Sequence, residues 1–345
     1  MPTPRVSVVI PNYNYAKTLA LCLESVFAQT LRPYEVIVSD DASTDASPEI
    51  AARYPCLLLR AERNGGVSAA RNAGVLASSG EILFFVDSDE ALEPDAIEQA
   101  VRLLRADPTL GCVHGIIAPE PLIDDGPVEW YRTLHAHHWR KRAVGPTPTA
   151  YFAAAAMPRR VFDEVGPFDQ ALRDSEDVEY SDRLSERYRI LLTDLVVARH
   201  DEEDRLRPML GEQFRRAQLL LPFAAAHRSR PGALRANSAL GVLMALLAPA
   251  ALLGALAALP FAPALAAAGA LTALLAVAVF AVSDPGLARF VRRRRGVRFW
   301  CYFTAVHLLV NAAIGTGAAV GWLRARLDKD FGPSAAAHLA RGDAR

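Results

Sequence analysis

Blocks of apolar residues alternate with polar stretches through the first hundred positions of the chain. Short runs rich in β-branched residues predict four strands, at residues 5–10, 35–39, 56–60 and 82–86. Helical segments are predicted after each of the first three runs, at residues 18–29, from 47 onward and within 64–74. This alternation of strands and helices predicts an α/β domain with a doubly wound, parallel sheet.

The run at residues 82–86 is the most informative, because it ends directly in Asp87 and Asp89. Five consecutive apolar residues suit a strand covered on both faces, and in open α/β sheets ligands bind at the carboxyl edge. Two carboxylates one residue apart repel each other unless a cation lies between them. Mg²⁺ or Mn²⁺, held together with phosphate oxygens, meets that requirement. The alternative is a solvated turn that leads into a helix beginning within residues 90–94.

Polar loops follow two other predicted strands in the same way, at residues 11–14 and 40–45. The carboxyl ends of parallel strands lie at one edge of the sheet. We therefore expect these two loops and residues 87–89 to form a single site.

Four segments, taken together and in this order, resemble the family 2 glycosyltransferases of the GT-A fold. They are residues 8–14 (Val-Val-Ile-Pro-Asn-Tyr-Asn), 39–45 (Ser-Asp-Asp-Ala-Ser-Thr-Asp), 66–74 (Gly-Val-Ser-Ala-Ala-Arg-Asn-Ala-Gly) and 85–89 (Phe-Val-Asp-Ser-Asp). The resemblance covers about residues 5–205. It implies a Rossmann-like GT-A domain with a mostly parallel sheet over residues 1–205. It also implies an enzyme that moves a sugar from a nucleoside diphosphate sugar to an acceptor hydroxyl.

The resemblance assigns nucleotide contacts to the first two loops. Pro11 and Tyr13 would belong to the nucleotide-sugar site, with Tyr13 stacking on the base; the alternative is a buried turn tyrosine. Asp41 would accept a hydrogen bond from the imide N–H of the base, which favours uracil over adenine and hence a UDP-sugar. Asp40 is expected to hold the loop.

The resemblance also implies a set of charged residues around the diphosphate. Arg71 would balance carboxylate or phosphate charge near the nucleotide, unless it is an exposed helix arginine. Asp87 would contact the ribose or the metal, with Ser88 beside the nucleotide sugar. Asp89 would ligate the Mg²⁺ or Mn²⁺ that bridges the two phosphates. His200 would complete the metal shell, unless its role is structural.

An acidic pair at residues 176–177 opens another predicted helix, where the helix dipole favours carboxylates. In the resemblance Asp177 matches the catalytic base. Direct displacement at the anomeric carbon, which inverts its configuration, needs a group that takes the proton of the attacking hydroxyl. The alternative for this pair is helix capping alone.

Residues 130–142 combine two tryptophans with the sequence His-Ala-His-His at 135–138. A metal site is one interpretation of the histidines. We favour a polar, aromatic loop or helix over the cleft, on which Trp130 and Trp139 would stack on a sugar of the acceptor. Residues 213–217 resemble part of the Gln-x-x-Arg-Trp box of processive synthases, but Ala217 replaces the tryptophan, which argues against processivity. An amphipathic basic helix at the membrane surface explains this segment equally well.

The composition changes sharply in the last third of the chain. Residues 238–283 contain no Asp, Glu, Lys or Arg. This uncharged segment is long enough for two membrane spans, at about 238–259 and 261–283. A third apolar segment, at residues 300–323, either crosses the membrane or re-enters it. Arginines at residues 289–298 (the basic segment) belong on the cytoplasmic side, against anionic lipid. Residues 206–237 are expected to form interfacial linker helices and residues 324–345 a flexible tail.

Charge and cysteine content exclude other classes. The chain has 38 basic and 38 acidic residues, so no basic excess indicates a nucleic-acid partner. The four cysteines show no Cys-x-x-Cys spacing, which argues against a disulfide framework or a zinc site and favours a reducing compartment. No signal peptide is predicted at the start of the chain.

Together these features predict a multi-pass protein of the inner membrane with its catalytic domain in the cytoplasm. Its acceptor would be a lipid-linked or membrane-held glycan of cell-envelope or exopolysaccharide synthesis. Two alternatives are a nucleotidyltransferase that makes sugar nucleotides and a non-catalytic membrane scaffold. The first would need a glycine-rich phosphate loop near the first strand, and residues 11–14 contain no glycine.

Overall fold

The structure is a computed structural model. It describes residues 4–172, 176–218, 236–328 and 331. The strands are β1 (Val6–Asn12), β2 (Glu35–Asp40), β3 (Leu57–Arg60), β4 (Ile82–Val86), β5 (Glu90–Leu92), β6 (Leu110–Ile117), β7 (Gly145–Thr147), β8 (Ala154–Pro158) and β9 (Arg189–His200). The helices are α1 (Leu19–Phe27), α2 (Ser47–Ala51), α3 (Val67–Ala77), α4 (Ala96–Ala106), α5 (Pro127–Arg142), α6 (Arg159–Val165), α7 (Glu176–Ser185), α8 (Leu206–Ala217), α9 (Ala239–Ala258), α10 (Pro263–Val282) and α11 (Pro285–Leu327).

The strands form one mixed sheet in the order β3-β2-β1-β4-β8-β6-β9-β5, with β7 paired to β9. The four strands β3, β2, β1 and β4 are parallel, as the sequence predicts. The other half of the sheet is different, because β8 runs antiparallel to both β4 and β6. Strand β9 is parallel to β6 and antiparallel to β5. The sheet is therefore an α/β sheet in which only the half formed by β3, β2, β1 and β4 follows the doubly wound pattern.

Both faces of the sheet are covered, which explains the continuous apolar runs. Neighbouring residues of one strand belong to different cores: Val8 and Phe84 to one, Val9 and Phe85 to the other. Helices α1 and α4 cover the first face, and α3, α6 and α7 cover the second. Each fully buried side chain of this kind contributes roughly 1.5–3 kcal/mol to folding.

Helix α3 lies very close to the sheet. A Cβ atom at Gly74 would lie only 2.4 Å from Cγ1 of Val9, so a larger residue there would push the helix away from β1. The helix begins after Gly66, whose φ of +88° suits glycine best. These two glycines determine how close α3 lies to the sheet, and therefore where Arg71, which α3 carries, is placed.

The alternative helix start within residues 90–94 is wrong. Residues Glu90–Leu92 form β5, and α4 begins only at Ala96. Strand β5 pairs with the end of β9 so that Glu90 lies opposite His200. This pairing brings the end of the last strand next to the carboxylates that follow β4.

Three C-terminal helices, α9, α10 and α11, are long and apolar enough to cross a membrane; we refer to them as the membrane helices. Helix α11 is interrupted at Gly296, where φ is +80°, so that its basic first part is separated from the apolar part that contains the predicted span 300–323. Residues 219–235 of the predicted linker, and 329–330 and 332–345 of the predicted tail, lie outside the described residues.

Small residues of α11 allow α8 to pack closely on it. A Cβ atom at Gly317 would lie 2.4 Å from the carbonyl oxygen of Phe214, and one at Gly321 would lie 1.9 Å from that of Gln218. Gly315 makes a similar close approach to Leu246 of α9. These glycines therefore allow the three helices to pack closely.

A third apolar core joins the α/β domain to the membrane helices. It contains Tyr131 of α5, Met209 of α8 and several residues of α11, among them Leu287 and Val306. The hydroxyl group of Tyr131 lies 2.9 Å from Nδ1 of His307. Helix α5 therefore belongs to the α/β domain and to the membrane region at once.

Candidate functional site

The loop after β2 is held by Asp40. Its carboxylate accepts hydrogen bonds from Nδ2 of Asn12 at 2.8 Å and from the backbone N–H of Ser43 at 3.0 Å. The side chain is buried. Asp40 therefore holds the loop, as expected from the sequence.

Asp41 connects this loop to the start of α3. Its two oxygens accept hydrogen bonds from the backbone N–H groups of Gly65 at 2.8 Å and Gly66 at 2.7 Å. Since a carboxylate oxygen has two lone pairs, each oxygen retains acceptor capacity for a further donor. Asp41 thus holds the loop after β2 against the start of α3 without any ligand.

The loop after β1 presents an aromatic ring to solvent. Tyr13 is 43% exposed, so the alternative of a buried turn tyrosine is wrong. Pro11 is buried inside the sheet opposite Ser39, which means that it positions Tyr13. Asn14, at φ +61°, accepts a hydrogen bond from the backbone of Thr44 at 2.8 Å and ties the two loops together.

Arg71 forms the centre of a buried ionic network. Its Nη2 lies 3.1 Å from Oδ1 of Asp87, and its Nη1 lies 3.0 Å from Oε1 of Glu176 and 3.3 Å from Oδ1 of Asp177. The arginine side chain is 2% exposed, so the alternative of an exposed helix arginine is wrong. One guanidinium thus brings the carboxylate that follows β4 together with the acidic pair that opens α7.

Two aromatic rings cover the guanidinium at the centre of this network. The guanidinium carbon of Arg71 lies 5.5 Å from the ring centre of Phe168 and 6.0 Å from that of Phe152. Burial raises the pKa of Asp177 to about 7, although the positive charge of Arg71 acts in the opposite direction. Burial and the nearby charge of Asp89 also raise the pKa of Asp87, against the effect of Arg71. Asp177 is therefore poised to accept a proton near neutral pH.

A second group of charged side chains lies where β5 pairs with β9. Nε2 of His200 lies 3.5 Å from Oδ2 of Asp89, and its Nδ1 lies 3.3 Å from Oε1 of Glu202. Burial alone would lower the pKa of His200, but the charges of Asp89 and Glu202 raise it well above its ordinary value. Ser88, between the two aspartates, is buried, and its carbonyl accepts a hydrogen bond from Thr18 Oγ1 at 2.9 Å.

These residues fit a divalent cation. Asp87 and Asp89 bring two carboxylates to this edge. Burial raises the pKa of Asp87 and the charge of Asp89 adds to this rise; a cation would relieve the repulsion. Carboxylate oxygen and imidazole nitrogen are ligands that Mn²⁺ accepts, and Mg²⁺ prefers oxygen. Asp89 and His200 would hold the ion, with Asp87 next to it.

The sequence interpretation missed two features of this edge. Tyr15 lies beside Asp89, whose charge, followed by burial, raises the pKa of the phenol. Asp125, Glu129 and Asp201 place carboxylate oxygens within 4.8 Å of one another, at spacing that could hold a metal. The ammonium group of Lys17 already bridges Asp125 and Asp201 there. The position of Tyr15, two residues after Tyr13 in the same loop, could have indicated that it belongs to the site. Asp201 is far from Asp125 and Glu129 in the sequence, so the three carboxylates come together only through tertiary structure.

The histidines of α5 do not converge. Nδ1 of His137 lies 2.7 Å from the carbonyl oxygen of Ile117, Nε2 of His138 lies 3.7 Å from Asp284, and His135 stacks on Tyr131. In this geometry the histidines do not form a metal site, so that interpretation is wrong. The favoured alternative, a helix, is present. Trp130 lies under Arg295 of the basic segment and donates to Asp124 at 2.8 Å.

The fold resembles that of a solved glycosyltransferase. The structure titled "Mannosyltransferase PcManGT from Pyrobaculum calidifontis in complex with GDP-Man and Mn2+" aligns with a TM-score of 0.54 and 24% identity, over 92% of this chain and 88% of that one. This likeness shows the GT-A fold.

The sequence of the α/β domain then identifies the family. The family model "Glycosyl transferase family 2" matches residues 7–166. The uncharacterized glycosyltransferase YwdF of Bacillus subtilis (strain 168) is 31% identical over 194 residues, which is 54% of this chain and 70% of YwdF. The chain belongs to glycosyl transferase family 2.

Other relatives share only a part of their length. The putative glycosyltransferase EpsH of Bacillus subtilis (strain 168) is 42% identical over 106 residues, 30% of this chain and 31% of EpsH. The chondroitin synthase of Pasteurella multocida (strain Pm70) is 36% identical over 115 residues, 32% of this chain and 12% of the synthase. The chain thus spans less than a third of the length of these two relatives.

Proposed function

We propose that this protein is an inverting glycosyltransferase. It transfers a sugar from a nucleoside diphosphate sugar to an acceptor hydroxyl at the cytoplasmic face of the inner membrane. The observation that carries the proposal is the convergence of Asp87, Asp89, Asp177 and His200 with Arg71 at one edge of a GT-A sheet. We place its role in cell-envelope or exopolysaccharide synthesis.

The nucleotide would lie over the loops after β1 and β2. Tyr13 offers an exposed ring for stacking on the base. Asp41 is fixed by two backbone N–H groups, which leaves acceptor capacity for a ring N–H of the base. We favour uracil. Guanine also carries such a ring N–H, and the PcManGT structure contains GDP-Man, so GDP-sugars belong in any donor test.

A divalent cation would be held by Asp89 and His200, with Asp87 beside it. When bound, Mg²⁺ or Mn²⁺ stabilises the charge that develops on the leaving diphosphate; Mn²⁺ is present in the PcManGT structure. Ser88 and Pro11 shape the backbone around the nucleotide. Asp87 would contact the ribose while Arg71 holds its carboxylate in place.

Asp177 would be the catalytic base. Its pKa of about 7, raised by burial, suits a group that takes the proton of an acceptor hydroxyl as it attacks the anomeric carbon. Arg71 orients this carboxylate through a contact of 3.3 Å. Attack from the side opposite the leaving diphosphate gives inversion.

The protein is best tested as the full chain in nanodiscs. With a panel of UDP- and GDP-sugars and Mn²⁺, release of the nucleoside diphosphate is expected, and Asp89→Ala should abolish it. Asp163→Ala, an exposed position on α6, is the matched control and should retain release. Release that needs no divalent ion and survives Asp89→Ala would refute the proposal.

The same assay separates the alternatives. A nucleotidyltransferase would release pyrophosphate from a nucleoside triphosphate and a sugar phosphate, and no nucleoside diphosphate. A scaffold would release nothing from any donor and would show no thermal stabilisation by nucleotide.

A further inference from the structure

A cavity of about 280 Å³ lies between the α/β domain and the membrane helices. Its walls include Arg132, Trp139 and Arg140 of α5, Tyr151 before β8, Arg216 of α8 and Val310 of α11. One wall thus belongs to the catalytic domain and the other to helices that enter the membrane. None of the residues proposed for donor binding lines it.

The charge of the cavity is not balanced by its own carboxylates. Nε of Arg132 lies 2.5 Å from Oε2 of Glu202, and Nη2 of Arg216 lies 3.1 Å from Oε1 of Glu212. Arg140 has no such ion pair with any of the described residues. Its guanidinium carbon instead lies 4.5 Å from the ring centre of Trp139 and 5.3 Å from that of Tyr151.

Arg140 is also partly buried. Burial lowers its pKa below the ordinary value of arginine, although the charges of Glu202 and Glu90 act in the opposite direction. A guanidinium that is removed from water and has no carboxylate partner is costly, unless an anion binds to it. Arginine presents a planar fork of N–H donors that matches the oxygens of a phosphate.

The cavity is next to the proposed reaction centre. Glu202 lines the cavity and also lies 3.3 Å from His200, which in turn lies 3.5 Å from Asp89. Two side chains, Glu202 and His200, therefore connect the cavity to the proposed cation. The indole of Trp139 and the phenol of Tyr151 offer flat surfaces on which a sugar ring can pack.

We propose that this cavity binds the phosphate group of the lipid that presents the acceptor, with Arg140 as its principal contact. This inference rests on the proposed function and adds to it the chemical class of the acceptor, a sugar carried on a single-chain lipid phosphate or diphosphate. The phosphate meets Arg140, the lipid chain leaves along the apolar wall at Val310, and the attached sugar, which supplies the acceptor hydroxyl, lies against Trp139.

Binding of geranylgeranyl phosphate to the full chain in phosphatidylcholine nanodiscs tests this. Arg140→Gln should weaken binding about 10-fold or more, because it removes a charged hydrogen-bond donor from a buried anion. Arg140→Lys should retain part of the affinity, because it keeps the charge without the fork. Arg142→Gln is the matched control: it lies on the same helix, pairs with Asp284 and should bind as wild type does. UDP binding with Mn²⁺ should be unchanged in all three variants, and none of them should unfold at a lower temperature than wild type.

The competing ligands decide the assignment. Geranylgeraniol, which lacks the phosphate, should bind more weakly than the phosphate and equally to wild type and Arg140→Gln. Equal binding of geranylgeranyl phosphate by those two proteins would overturn the inference. So would equally strong competition by inorganic phosphate or by phosphatidylglycerol in the nanodisc. Absence of lipid binding with intact UDP or GDP binding would refute this inference alone, whereas absence of binding of both nucleotides would refute the proposed function.

Discussion

Arg71 is the residue whose replacement tests the buried network most directly. Replacing it with methionine keeps the length of the side chain and leaves Asp87, Glu176 and Asp177 without their shared cation. Removing one partner of a buried ionic network costs about 3–5 kcal/mol. Part of this is recovered, because Asp177, with a pKa of about 7, can take up a proton. We expect a loss of about 3 kcal/mol, which lowers the unfolding temperature of a domain of this size by about 6–12 °C.

The pH dependence of this loss follows from the sign of the shift. Burial raises the pKa of Asp177 from 3.8 to about 7, and Arg71 opposes that rise. In the variant the folded-state pKa is therefore higher still, while the unfolded value is unchanged. The folded variant then binds more protons than the unfolded chain between the two values, so its stability falls as the pH rises through that window. The difference from wild type should be larger at pH 8 than at pH 6.

Thermal unfolding of the full chain in detergent, recorded at both pH values, measures this effect. Arg71→Lys should lie between wild type and methionine, since an ammonium group cannot contact three carboxylates as the guanidinium does. Arg102→Met, on the exposed face of α4, is the matched control and should unfold as wild type does. An Arg71→Met protein within about 2 °C of wild type at pH 8, or with the same deficit at pH 6, would refute the reasoning.

Three further changes, together with Gly254→Ala as a control for Gly74→Leu, test other parts of the structure. Asp177→Asn should lower transfer at least about 100-fold without changing the Kd for UDP, and the wild-type rate should rise with pH through about 7; unchanged turnover would remove this residue from the mechanism. Gly74→Leu should cost about 1–3 kcal/mol in thermal unfolding, because it forces α3 away from β1. Gly254→Ala, which has free space around it, should not destabilise the protein. Ala217→Trp should also destabilise the protein by about 1–3 kcal/mol, and product length on a gel should not increase.

The parallel half of the sheet and its polar rim could be predicted from the sequence. The bounds of β4 agree with the predicted run at 82–86, because an uninterrupted apolar run between charged residues fixes both ends. Asp41 follows β2, whereas Asp87 and Asp89 follow β4. These strands lie parallel on either side of β1, so the common edge of the three carboxylates follows from topology alone. Both predictions combine local apolar runs with the rule that the carboxyl ends of parallel strands lie at one edge of a sheet.

The antiparallel half could not be predicted in the same way. Strand β8 reads Ala-Ala-Ala-Met-Pro, and alanine has little preference for strands. It is a strand because it pairs with both β4 and β6. The burial of Arg71 also depends on partners about a hundred positions away, such as Glu176 at a separation of 105 residues. No periodicity in the sequence reports contacts of this range.

The replacement of tryptophan by Ala217 has a physical reason in the structure. Ala217 is 2% exposed, and its Cβ would lie 3.0 Å from a Cβ atom added at Gly317 of α11. A large ring at this position would separate α8 from the membrane helix. The substitution that argued against processivity thus also allows α8 to pack against α11.

Helix α5 connects the membrane helices to the α/β domain and to the cavity between them. One side of the helix packs against α11, where Tyr131 contacts His307 and Phe303. The other side carries Arg140 toward Tyr151 and the end of the sheet. Since both sides belong to one rigid element, the membrane helices set the distance between the apolar wall of the cavity and the pair Asp89–His200. Loss of the Tyr131–His307 contact should therefore weaken binding of a lipid acceptor while UDP binding, whose proposed residues do not line the cavity, is retained.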